Sequence, residues 1–348
     1  MATLTETAIT ARKLIRYTFY FVIMVVVARF LFGVGVSLFQ QLFPAGPPPP
    51  TVGFGLLPPL PFPEQQRTLP ELSYTLETPT GGLPAFPEQL PVYFMPRNSI
   101  DLFTEDRARE RASKMGYTTA PLELSDTIWR FNHPGAPATM QTNVVSKVYS
   151  VSYNLAFDPS PIAARVPTPS AATSAVQSFF GLAEPFPGDL TGRVQHDFLR
   201  VEGQNLVSAI SLSEANFIKV NFFRSDINEL PAVTPNPSES NVWAIVSGSS
   251  GVGQIVSAEF KYYPMDTTQP QTYPLREPAK VYEELLNGGG YIANLGTNID
   301  GNIVIRRVYM AYYDPGVQYN FYQPVVVFEG DNDFVAYVPA VSPEFYSE

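Results

Sequence analysis

Two histidines, one serine- and glycine-rich hexapeptide and a few aspartates between strand-like runs are the residues of this 348-residue chain whose types and spacing could do chemistry. His196 stands beside Asp197 in RVQHDFL, the pairing that would orient a general base. Neighbours on a strand point to opposite faces, however, so the two do not readily form an oriented pair. His133 precedes Pro134 in an expected turn, and both histidines read as surface or packing residues. GSSGVG (residues 248–253) has the glycines of a phosphate cradle but lacks the Gly-Lys-Ser/Thr ending, and a strand rather than a helix follows it. No G-x-S-x-G elbow is present, and Ser249-Ser250-Gly251 reads as a hairpin turn. Asp331 and Asp333 in EGDND, and Asp300 in NIDGN, could offer oxygen ligands to calcium. Each lies where turn geometry already calls for Asp, Asn and Gly, and neither segment has the EF-hand pattern. With no cysteine, thiol catalysis, thiolate metal sites and disulfide staples are excluded. The catalytic, cofactor and metal sites are therefore expected to be none. Scattered carboxylates leave one alternative, a glycosidase-like ectoenzyme directed at the cell wall, since such enzymes join acids distant in sequence. Glu283-Glu284, the one adjacent helical pair among them, reads as solvated.

The element that must position everything else is the apolar run at residues 17–43. A bilayer core of about 30 Å needs roughly 20 helical residues, which residues 17–39 supply. Arg29 near its middle would cost about 2.5–3.5 kcal/mol on insertion scales. The fourteen Val, Ile, Leu and Phe residues within 17–39 return on the order of 6 kcal/mol at about 0.3–0.6 each, so insertion wins. Gln40, Gln41, Phe43 and Pro44 follow where a cleavage site would need small residues, so an uncleaved signal anchor is expected. Arg12, Lys13 and Arg16 precede the run and no Lys or Arg follows it until Arg67, which places residues 1–16 as a cytoplasmic tail and the bulk of the chain outside the cell membrane. Arg29 reads first as a snorkelling side chain. The sharper reading makes it a polar contact with another membrane helix, beside the small-residue face of Gly33 and Ser37.

Beyond residue 43 the chain holds 18 basic and 31 acidic residues, a formal charge of −13, which makes it a poor nucleic-acid binder. Residues 44–70 contain ten prolines in 27 positions and read as an extended stalk, although Phe54, Leu56, Leu57, Leu60 and Phe62 could instead lie against the first domain. Three α+β modules are expected after it, at 71–158, 170–263 and 274–348, each a helix across an antiparallel sheet. In the first, strands at 73–77 and 91–96 precede a helix running from Ser99 or Asp101 to Gly116, and 127–133 then pairs with 142–155 as a hairpin. In the second, a helix at 171–183 is followed by strands at 193–201, 206–212, 217–223, 242–248 and 254–264. In the third, Pro278 opens a helix that Gly288 to Gly290 end, and strands at 302–315, 322–330 and 333–341 follow.

On these residues a resemblance can be placed. TEDRARERASKMGY with the strands after it looks like a PepSY-type or cystatin-like extracytoplasmic module. The closing run, from AKVYEELLNGGGY through VYMAYYDP to QPVVVFEG and FVAYVPAV, is similar to the C-terminal domain of the membrane-anchored YycH and YycI regulatory proteins. The apolar run with PPPPTVGFGLLPPLPFP also resembles uncharacterised single-pass proteins of ultrasmall bacteria. Resemblance to YycH and YycI implies regulation of a sensor kinase through ectodomain and membrane-helix contacts, and it brings no catalytic residues. The expectation is thus a non-catalytic binding, regulatory or scaffold ectodomain on one membrane helix. Its partners would be the bilayer through residues 17–43 and a membrane or envelope protein, with no nucleic acid. Tyr309, Tyr312, Tyr313 and Tyr319 are its candidate partner surface.

Overall fold

The computed structural model describes residues 4–42, 48–65 and 69–347, and the chain divides into two compact units, 1–49 and 50–348. The parts of the expected tail, anchor and stalk at 1–3, 43–47 and 66–68 lie outside the described residues.

The first unit contains the helix α1 (Leu4–Leu42), which runs without a break through most of the expected tail and the apolar run. Its stretch Arg12–Ser37 has mean hydropathy 2.3, is unburied within the molecule, and is apolar enough to cross a membrane. At about 1.5 Å per residue it extends close to 40 Å, more than a hydrocarbon core.

The second unit contains β1 (Ser73–Leu76), β2 (Gln89–Phe94), α2 (Thr104–Lys114), β3 (Leu122–Glu123), β4 (Ile128–Asn132), β5 (Ala138–Asn143) and β6 (Tyr149–Tyr153). Next come α3 (Ser160–Ala163), α4 (Pro169–Ala183), β7 (Arg193–Glu202), β8 (Asn205–Ser208), β9 (Phe217–Phe223), β10 (Ala232–Val233), β11 (Val242–Val246) and β12 (Ile255–Phe260). The chain ends with β13 (Asp266–Pro274), α5 (Pro278–Leu286), β14 (Tyr291–Asn294), β15 (Asn302–Tyr313), β16 (Phe321–Gly330) and β17 (Val335–Pro339).

These elements build two sheets. One has nine strands in the order β3-β4-β5-β6-β12-β11-β9-β7-β8, every neighbouring pair antiparallel. Two helix-then-meander runs meet at its centre, where Ser152 of β6 faces Ser257 of β12. Helix α4 lays Ala172, Val176, Phe180 and Ala183 on this sheet, a stripe at helical spacing that joins the same core as Ala108 and Ala112 of α2. Its start is fixed by Thr168, whose hydroxyl accepts the Ala171 N–H at 3.3 Å, and by Pro169 at the first helical position.

The other sheet has eight strands around the long pair β15–β16. β17 and then β14 extend it on one side. β1 and β10 both lie parallel to β15, β2 pairs with β16, and β13 pairs with β2. It is therefore mixed, against the antiparallel expectation. Helix α5 covers it with Val281 and Leu285, and Gly288, at a φ of +78°, ends that helix where a side chain would be strained.

The module boundaries expected from sequence do not match these sheets. Strands β1 and β2, expected in the first module, sit beside β15 and β16 of the third, and β13, which follows the second, pairs with β2. β10 leaves the nine-stranded sheet between β9 and β11 to reach β15. Local periodicity marks each strand but carries no information on which distant strand it joins. The expected strand at 142–155 is also two strands: Asn143 turns its carboxamide oxygen onto the Val145 and Ser146 N–H groups (3.0 and 2.9 Å), and Lys147 takes φ +67°, which closes a hairpin between β5 and β6.

The stalk expectation fails for residues 51–62, which lie on the eight-stranded sheet. Leu57 is fully buried; its N–H donates to the Phe345 carbonyl at 2.7 Å and its carbonyl accepts from the Ser347 N–H at 2.8 Å. Leu60 is buried beside Val233 and Val325, and Phe62 stacks on Tyr291 at 5.1 Å. Prolines stiffen the segment without keeping it from binding, and its leucines gain more from burial than from standing in water.

Candidate functional site

On α1, Arg29 is exposed, Gly33 has open space where a side chain would stand, and Ser37 turns its hydroxyl back to the Val34 carbonyl at 2.9 Å. Gly33 and Ser37 are four residues apart and so share one face.

The tyrosines expected to form a partner surface do other work. Tyr312 and Tyr313 are fully buried. Tyr312 stacks on Tyr322 at 5.3 Å and donates to the Pro91 carbonyl at 2.8 Å, while Tyr313 meets Phe62 edge-on at 4.9 Å. Successive residues on a strand face opposite ways, and in β15 both faces are covered, so both rings become core. Tyr319 donates to the Pro58 carbonyl at 2.7 Å, where the Gln323 carboxamide also donates at 3.1 Å; together they hold the proline-rich segment in place. Tyr309 is half-buried, donates to Glu329 and lies under the Arg307 guanidinium at 4.3 Å. Burial first, and then the Glu329 carboxylate, raise its phenol pKa.

Residues singled out for chemistry are likewise occupied. The His196 ring meets the Thr173 hydroxyl at 2.8 Å, whereas Asp197 accepts from Asn221 at 2.8 Å. The two thus engage different partners, as their alternation on β7 requires. Asp331 is gripped by Arg306 through bonds of 2.6–3.0 Å, and Asp300 accepts from the Asn302 backbone and side chain. Among the described residues no group of three or more His, Asp or Glu is placed to hold a metal ion.

Two features were not visible in the sequence. The first is a cluster around Arg224, at the end of β9. Its Nε donates to Asp314 at 2.8 Å, one terminal nitrogen donates to Asp189 at 2.7 Å, and the other donates to the Tyr263 carbonyl. Tyr262 completes the ring of partners by donating to Asp189 at 2.9 Å. Burial alone would lower the Arg224 pKa, but Asp314, Tyr322 and Asp189 outweigh it and hold the guanidinium charged. Burial pushes the Tyr262 phenol up to about 12. Because Arg224 follows a strand of the nine-stranded sheet and Asp314 a strand of the eight-stranded one, the cluster fastens the two sheets together. Its acids lie 35 and 90 residues away in sequence, beyond the reach of any local pattern.

The second is a cleft of about 650 Å³ between the end of α2, the side of α4 and the segment before β12. Val151 and Ile255 line it from the sheet, Met115, Tyr117, Phe179 and Leu182 from the helical side, and Lys114, His133, Ser174, Ser178 and Gln254 supply polar groups. Small residues on α4, Ser174, Ala175 and Ser178, leave the gap open. His133 accepts the Gly135 N–H on Nδ1 at 3.1 Å, which leaves Nε2 to carry the proton of the neutral ring. Among the described residues no Asp or Glu lines the cleft.

These features define a class: an α+β protein of two interlocked sheets, preceded by one helix apolar enough to cross a membrane. Among solved structures the chain is similar to an uncharacterized protein from Eubacterium rectale ATCC 33656, at 10% identity and a TM-score of 0.41, over 76% of this chain and 88% of that one. It is also similar to YycH from Bacillus subtilis, at 10% identity and a TM-score of 0.30, over 73% of this chain and 53% of that one. No family model matches the chain, and no curated protein matches it in sequence.

Proposed function

We propose that this is a single-pass membrane protein, its N-terminus cytoplasmic, whose extracytoplasmic α+β unit works by binding an envelope protein rather than by catalysis. The carrying observation is the cleft beside α4: open, largely apolar, and free of carboxylates. A glycosidase-like enzyme would need two carboxyl groups about 5–10 Å apart across such a cleft. An apolar side chain from a partner, by contrast, would find there Phe179, Leu182 and Val252 together with a few polar groups, the composition of a recognition pocket. Arg12, Lys13 and Arg16 ahead of the apolar run, with no Lys or Arg after it until Arg67, support the orientation.

Photocrosslinking of the full-length protein in its own membranes tests this reading. A photoreactive residue at Leu182, exposed and lining the cleft, should trap one protein that the same residue at Ile210, exposed elsewhere, does not. Phe179→Asp should abolish that adduct. Identical adducts from both positions, or only the uncrosslinked monomer, would refute a cleft-directed partner.

A further inference from the structure

We infer that the protein forms a two-fold dimer by pairing the outer edge of β7 with the same edge of a second copy, so that the nine-stranded sheet continues across both chains. The inference draws on neither the cleft nor α1. β7 runs for ten residues, yet β8 pairs only with its later part, from Leu199 opposite Ser208 to Glu202 opposite Asn205. The last bond on that side joins the Ala209 N–H to the Phe198 carbonyl at 2.8 Å. Among the described residues no strand lies against that side of residues 193–197.

The backbone there is set for a partner. The Phe198 carbonyl points to the β8 side, whereas the Leu199 carbonyl accepts the Asn216 N–H at 2.8 Å on the β9 side. Alternation along the strand therefore turns the N–H and C=O groups of Val194 and His196 to the free side. No residue of β7 is fully buried, and Arg193 and Gln195 are exposed. An edge of this kind is a template for another strand unless proline, a bulge or lysine blunts it. β13 carries two prolines and an interrupted register, and β14 an interrupted register. Residues 193–199, by contrast, pair with β9 without interruption and include neither proline nor lysine. Helix α4 packs mainly over β9 and β11, inside this edge.

Self-complementarity makes a second copy the occupant. With Gln195 of each copy opposite the other, Val194 falls opposite the second copy's His196 and the reverse, so their free N–H and C=O groups meet in reciprocal pairs. Arg193 then falls opposite the second copy's Asp197, twice, and opposite charges across a strand pair favour it. No other two-fold centre brings those residues together. Within one chain Arg193 lies over the Phe223 ring at 4.0 Å and forms no ion pair among the described residues. Asp197 accepts only from neutral groups, Asn221 at 2.8 Å and Gln195 at 3.2 Å. The length of the free edge fits too. A Cβ on Gly192 would stand 2.3 Å from the Ser225 hydroxyl, just beyond β9, so the chain there turns to the β9 side and away from the free edge. In this register the second copy's Gly192 comes level with Phe198, where Ala209 already sits, and its chain turns aside at that point.

Because the chain has no cysteine, Gln195→Cys places one thiol at the two-fold centre, where residues directly opposite lie about 4.5 Å apart at Cα, within disulfide reach. Copper-phenanthroline oxidation of the full-length chain in its own membranes should link Gln195→Cys into a dimer. Ser152→Cys, exposed on the same sheet away from the edge, should link at no more than the rate of random collision. In detergent, Arg193→Asp or Asp197→Arg alone sets like charges opposite each other and should raise the dimer dissociation constant about tenfold by sedimentation. An equal mixture of the two variants should associate as the wild type does, because the mixed dimer regains both opposite-charge pairs. The oxidation test stands by itself should Asp197→Arg, which loses its bond from Asn221, fail to fold. Linkage at 195 no faster than at 152, or a wild-type chain that stays monomeric, would overturn the inference. A dimer indifferent to both charge reversals would overturn it in favour of pairing through α1 or another face, and a mixture that fails to recover would overturn the register.

Discussion

Arg224 ties strand ends of the two sheets together through a buried charge. A fully buried guanidinium is tolerable only because Asp314, Asp189 and the Tyr263 carbonyl meet its donors. Arg224→Leu leaves the Asp314 carboxylate buried without its cation and should cost about 3–5 kcal/mol, read as a lower denaturation midpoint of the detergent-solubilised full-length chain. Arg224→Leu combined with Asp314→Leu should recover part of that loss, because the orphaned charge goes with its partner. Legibility at this scale was uneven. His196 and Asp197 were readable as separate because strand alternation is a local rule, and they do engage different groups. Tyr312 and Tyr313 were misread as surface: which face of a strand is covered depends on β2, β10 and residues 51–62, all distant in sequence, and not on the strand itself.

Single elements were more legible than their arrangement. The expected helices are present at 104–114, 169–183 and 278–286, the first starting after Ser99 and Asp101 with no side-chain cap, and most strands expected from alternation are present too. What sequence missed is informative. β13 has four exposed residues, Thr267 to Pro270, so it lacks the half-buried alternation that marks a strand, and β10 is two residues long. In the proline-rich stretch the docked alternative prevails over the stalk: proline excludes helix but does not exclude docking, and the buried side chains of Leu57 and Leu60 decide the outcome. Its attachment can be measured. Leu57→Ala should lose about 2–5 kcal/mol through the cavity left among Tyr273, Val341 and Val92. Leu56→Ala, one residue away and exposed, should stay within about 0.5 kcal/mol. Equal effects at the two positions would mean that the segment is not docked in solution.

For the molecule as a whole, charge is arranged to hold the acidic unit together near neutral pH. Carboxylates placed far apart in the fold share one property. Arg107 beside Asp101, Lys114 beside Glu110, the Tyr153 hydroxyl on Asp158 and Arg306 against Asp331 each favour the ionised form and lower its pKa. A carboxylate whose pKa is lower folded than unfolded stabilises the fold above its unfolded value and loses that contribution as pH falls through the folded one. The loss therefore falls below about pH 4, the ordinary range for free carboxyls, and not near neutrality. Arg306 makes the clearest case because it also bonds Glu77 beside β1, joining the start of the folded unit to the β16–β17 turn. Asp331→Asn should thus lower the unfolding temperature at pH 7, and the gap to wild type should close progressively as pH drops below 4, where the native carboxylate is itself becoming neutral. High salt at pH 7 should narrow the same gap, since these groups are exposed and screened. A gap that stays constant down to pH 2 would show that Asp331 acts through turn geometry at Asn332 and Asp333, both at positive φ, rather than through its charge.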